Sequence, residues 1–130
     1  MSRSTAHGSS RLATAEHLVL IQGVLSSDAV ARELPSGQTV VNLEVTSGVG
    51  SGQRVSVPVV ADAAAASFGR GDPVLVLGVV RRRFYRAGGM TASRTEVVAE
   101  TVVREGDRRR TARVLDRARR LLATSAESDR

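Results

Sequence analysis

Apolar and polar residues alternate with a period of two through much of the chain between His17 and Val103, the spacing that strands require. From Thr39 to Thr46, Val41, Leu43 and Val45 share one face while Asn42 and Glu44 share the other, which predicts a half-buried strand. Arg54 to Val60 alternates again through Val55, Val57 and Val59, and Pro58 marks a bulge or an edge because it has no N–H to give a ladder. His17 to Leu25 is a further β-rich run, interrupted at Gly23, where a strand bulges or another backbone approaches closely. Gly71 to Val103 supplies two more strands, the first apolar as far as Val80, with a reversal at Ala87-Gly88-Gly89 between them. The reversals elsewhere are Leu34-Pro35-Ser36-Gly37, a proline–glycine turn, and Ser47 to Gly52, a glycine-rich hairpin loop. That loop resembles a phosphate cradle only superficially, because a strand follows it where a dinucleotide fingerprint needs a helix.

Two segments change period. Asp62 to Phe68 (DAAAASF) has helix propensity, with Asp62 placed to cap it and Gly69 to end it. From Asp107 to Thr124, Val114, Leu115, Ala118, Leu121 and Leu122 fall on one helical face amid arginines. This amphipathic helix packs on the strands or on a partner subunit, and Arg108, Arg109 and Arg110 could add phosphate contacts. Residues 1–16 are rich in Ser, Thr, Ala and Gly without periodicity and read as a disordered arm. The expected fold class is all-β. Five strands with one short helix between the third and fourth is the element order of an OB-fold, a partly open five-stranded Greek-key barrel. It is expected over residues 17–104, followed by the C-terminal helix and a short tail over residues 105–130.

Composition narrows the function. At 130 residues there is room for one domain. The net charge of +6, carried by arginine without any lysine, favours an anionic partner. Absence of cysteine removes disulfides, thiolate nucleophiles and cysteine-ligated zinc, and fits a reducing compartment. No run reaches a membrane span and the N-terminus lacks the apolar centre of a signal peptide, so a cytoplasmic protein is expected. His7 and His17 have no partner that suggests a metal site or a base, and neither paired carboxylates nor an activated nucleophile stand out. The expectation is a binding protein, not an enzyme, with no cofactor, no metal and no small-molecule substrate.

The segment that carries chemistry is Arg81-Arg82-Arg83-Phe84-Tyr85-Arg86, where a buried strand turns cationic and brings in two of the three aromatic residues of the chain. Cations for phosphate and flat rings for bases are what a single-stranded nucleic acid requires. In strand register, Arg81, Arg83 and Tyr85 share one face and Arg82, Phe84 and Arg86 the other. Arg54 and Arg94 could line an adjoining groove.

Pro35-Ser36-Gly37, Asn42, Gly71-Asp72, Val76, Gly78, Arg81 to Tyr85 and Thr95-Glu96-Val97, in that order, resemble bacterial single-stranded DNA-binding proteins over about His17 to Val103. The resemblance implies an OB-fold homo-oligomer, a dimer or tetramer, that holds single-stranded DNA by stacking and basic side chains in replication, recombination or repair. It places Tyr85 at an important hairpin aromatic and Arg81 and Arg83 at neighbouring basic positions. The chain departs from the family in a short segment before Arg54, in having Gln53, Arg54 and Val55 where aromatics are usual, in Leu43 where phenylalanine is usual, and in ending ATSAESDR. The family's acidic, phenylalanine-ended tip, which recruits other enzymes, is thus expected to be absent. RNA in place of DNA stays open, as does an adaptor role in which hairpin and C-terminal helix serve assembly.

Overall fold

The computed structural model describes residues 17–48, 50 and 52–128, with side chains up to 124. The N-terminal arm expected at 1–16, His7 included, lies outside the described residues. Six strands form: β1 (Leu18–Leu25), β2 (Val30–Glu33), β3 (Thr39–Ser47), β4 (Val55–Asp62), β5 (Pro73–Ala87) and β6 (Met90–Arg104). A 3-10 turn, Ala63–Ser67, connects β4 to β5, and helix α1 (Arg108–Ser128) follows β6.

The strands make a closed ring of backbone pairing. Their order is β1-β5-β6-β4-β3-β2, and β1 returns to β3 through Val24↔Thr46 and Leu25↔Val45. All pairs are antiparallel except β4 with β6, which meet in parallel at Val59↔Val97 and Val60↔Val98. The barrel interior is filled by the alternating residues expected from the sequence: Val41, Leu43 and Val45 are buried, as are Val59, Val74 and Val76. Burial of such aliphatic chains contributes roughly 1.5–3 kcal/mol each.

Small residues let the ring close. A Cβ on Gly23 would stand 2.4 Å from the Thr46 carbonyl oxygen, and one on Gly78 would stand 2.3 Å from that of Val98. At Gly78 the β5–β6 register also slips, so the bulge that the glycine allows is present.

Four sequence expectations are corrected. The sheet has six strands, not five, because Val30–Glu33 pairs with β3 from Val30↔Asn42 to Glu33↔Thr39. All four of its residues are exposed, so the strand is held by backbone bonds and leaves no hydrophobic period. The segment after Asp62 is a 3-10 turn of five residues that ends at Phe68 rather than Gly69, although Asp62 caps it as expected, accepting from the Ala64 N–H at 3.0 Å. Arg54 precedes β4 instead of starting it. Finally, two residues expected on apolar faces, Val55 of β4 and Leu122 of the helical stripe, are exposed.

The rest of that stripe packs on the barrel. Val114, Ala118 and Leu121 are buried with Leu75, Leu77, Val79 and Val103, forming a second apolar layer on the outer face of β5 and β6. Asp107 caps the helix through the Arg110 N–H at 3.1 Å, and Arg117 grips Glu100 of β6 at 2.9 and 3.1 Å. Among the described residues no helix is long and apolar enough to cross a membrane.

One charged contact fixes the turn before β5. The Asp72 carboxylate accepts from the Gly69 N–H at 2.8 Å and pairs with Arg104 at 3.0 Å, and these two contacts, the backbone bond first, hold it below the ordinary aspartate range. A depressed folded pKa gives stability that is present above the unfolded pKa and lost as pH falls through the folded one. Asp72→Asn is therefore expected to lower the urea midpoint at neutral pH and to match the wild type in acid below the aspartate range. An equal gap at both pH values would assign the loss to shape instead of charge.

Candidate nucleic-acid interface

The β5–β6 hairpin is much longer than the barrel needs. Pairing of β1 with β5 ends at Leu18↔Val79, and the β4–β6 ladder pairs Val97 and Val98 with Val59 and Val60. Arg81 to Arg94 is thus a two-stranded arm with no strand on either side, about 20 Å long at about 3.4 Å per residue. Its tip is a two-residue loop in which Gly88 and Gly89 both have positive φ, 57° and 80°, as the twist of a tight hairpin demands.

The register pairs Arg81 with Glu96, Arg83 with Arg94, Phe84 with Ser93 and Tyr85 with Ala92. The two faces expected from the sequence are therefore present, but they differ in chemistry. On the first, Glu96 is 3% exposed and its Oε2 receives the Arg81 guanidinium at 2.5 Å, with the Arg83 Nε at 3.5 Å, an ion pair without a hydrogen bond. One carboxylate thus occupies two of the arginines at the root of the arm. Arg83 also lies over the Tyr85 ring, 5.3 Å from its centroid, and Tyr85 remains 39% exposed. On the second face, Phe84 is 66% exposed, and among the described residues Arg82 has no ion pair and Arg86 reaches only the Gly89 carbonyl at 3.1 Å.

Beside the arm is a groove of about 180 Å³. It opens where β6 leaves β4: Val55 to Pro58 has β3 on one side and no strand on the other, and Arg94 and Glu96 pass opposite it. Pro58, which cannot donate on an inner strand, sits at this divergence. The floor comes from Pro58, Val59 and Val60 and the walls from Asn42, Glu44, Asp28, Arg83 and Arg94.

Of the candidate residues, Arg83 and Arg94 meet at the groove, while Arg81 braces the root of the arm through Glu96. Arg82, Phe84, Tyr85 and Arg86 stand on the arm beyond it. Arg54 is exposed at the β3–β4 loop and does not line the groove. The groove is not a simple cationic channel, since its walls hold three carboxylates, Asp28, Glu44 and Glu96, against two guanidiniums.

Glu96 and Glu44 were missed as site residues. The signal for Glu96 was in the sequence: counting back from a two-residue Gly88-Gly89 loop sets it opposite Arg81. Glu44 was legible as an outward residue of a half-buried strand, but what it would face depends on how β6 departs from β4.

No protein-family model matches the chain, and no curated protein does.

Proposed function

We propose that this barrel is an OB-fold and that the protein binds single-stranded nucleic acid without requiring a particular sequence, as single-stranded DNA-binding proteins do. The ring β1-β3-β4-β6-β5-β1, with its single parallel pair β4–β6 and a helical turn between β4 and β5, supports the fold assignment. The observation that carries the function is the arm itself. It holds Phe84 and part of Tyr85 in solvent, next to Arg82 and Arg86, which have no acidic partner among the described residues. Exposed rings cost free energy unless a ligand covers them, and bases are flat, abundant partners for both ring and guanidinium. The reading includes no catalytic step, and DNA of replication, recombination or repair is the ligand taken first.

A homo-oligomer belongs to the same proposal. Its support is β1, whose residues Leu18 to Gly23 pair with β5 on one side and with no described strand on the other, while Leu20 stays exposed.

The chain supplies its own probe, because Tyr85 is the single tyrosine and there is no tryptophan. Titration with a thymine oligonucleotide is expected to quench the Tyr85 emission as bases stack on the ring, and added salt to restore it. Emission unchanged by saturating oligonucleotide at low salt would remove the arm from the interface.

A further inference from the structure

We infer that the groove at the root of the arm reads bases, favouring guanine over thymine, and that Glu44 is the residue responsible; this rests on the single-strand binding proposed above. A channel for phosphates would present uncommitted cations, yet this groove has an excess of carboxylate. Of those carboxylates, two are already committed. Glu96 is buried and bound to Arg81, and Asp28 Oδ1 accepts from the Arg70 N–H at 2.8 Å.

Glu44 differs from both. It is 38% exposed, its Oε2 accepts from the Ser56 hydroxyl at 3.0 Å, and its Oε1 lies 3.9 Å from Arg94, beyond hydrogen-bond range. The groove thus holds an open acceptor beside a guanidinium with donors to spare. A phosphate would be repelled there, so a nucleotide at this groove has to turn its base toward β3 and its phosphate toward solvent.

Guanine matches that pair. Its N1–H and N2–H are adjacent donors that a carboxylate takes together, and its O6 is an acceptor for Arg94. Cytosine and adenine offer Glu44 a single exocyclic amine. Thymine offers one N3–H between two carbonyls, both of which oppose a carboxylate. Pro58 and Val60, both half-buried, add a small apolar edge to a mostly polar lining.

The test uses thymine tracts of one length, either plain, with isolated guanines, or with inosines at the same positions, competed for the full chain in an anisotropy assay. Isolated guanines avoid self-association of the probe. The guanine tract is expected to bind roughly 5-fold more tightly than the plain one, the lower end for a partly exposed bidentate contact. Inosine, which lacks the N2 amine, is expected to lose most of that gain. Glu44→Gln, its fold checked by the urea midpoint, is expected to bind the guanine and plain tracts equally. Equal affinity for all three tracts, or a guanine preference that survives in Glu44→Gln, would overturn the inference and leave single-strand binding standing. Failure to bind any tract would overturn both.

Discussion

Replacing Arg82, Phe84 and Arg86 together by Gln, Ala and Gln is expected to lower affinity for a thymine oligonucleotide by about 100-fold with the barrel intact. The three share the face of the arm that has no ion pair among the described residues, and two of them are cations that can each meet a phosphate. Stacking on one ring contributes about 1–3 kcal/mol per base, and each lost phosphate contact removes about 0.7 from the salt slope of a single strand. A fall of this size with a slope smaller by between one and two would match. The fold should not notice, because the only interaction lost is the Arg86 bond to the Gly89 carbonyl at the tip. Unchanged affinity would leave Phe84 exposed for another reason.

The largest expected effect on stability comes from a single methyl. Gly78→Ala puts a Cβ 2.3 Å from the Val98 carbonyl oxygen and 2.9 Å from the Ala99 Cα, both backbone atoms of the facing strand. No rotamer relieves such a contact, so β5 and β6 have to move apart where their register slips and where helix α1 rests on Leu77 and Val79. A loss on the order of 3 kcal/mol is expected, near the upper end for overpacking. It is checked by urea unfolding, and the α1 helical signal should melt with the barrel. Wild-type stability in this variant would mean that the strands cross Gly78 less closely than described.

Much of this architecture could be read from residue patterns. Period-two runs located β3 and β4, β-rich composition and the Gly88-Gly89 reversal located β1 and the long hairpin, and the Val114-Ala118-Leu121 stripe anticipated a helix packed on the strands or on a partner subunit. Each is an element whose own side chains record which face is buried. Strand β2 was invisible for the opposite reason: Val30 to Glu33 bury nothing, and only the five residues from Leu34 to Gln38 that loop them back to β3 hinted at a partner.

The site was legible in part and for a similar reason. Arg81 to Arg86 stood out as residue types, and local register gave their two faces. What could not be read along the chain was the fate of the charges. That Arg81 and Arg83 are drawn to a buried Glu96 follows from pairing across the hairpin. The gap between β4 and β6, which makes Glu44 and Arg94 neighbours, depends on a contact between segments nearly forty residues apart that local periodicity does not encode. The groove that Arg54 and Arg94 were expected to line is instead mixed in charge, with Arg94 and without Arg54, beside a cationic arm.

The most direct test of single-strand binding is fluorescence anisotropy with one labelled oligonucleotide, single-stranded and then annealed to its complement, across a salt series. The arm and groove offer rings and acceptors to base faces and edges that a duplex hides, so the single strand should bind at low salt, weaken steeply as salt rises, and bind far more tightly than the duplex throughout. No anisotropy change with the single strand at low salt, or equal affinity for both forms, would contradict the account.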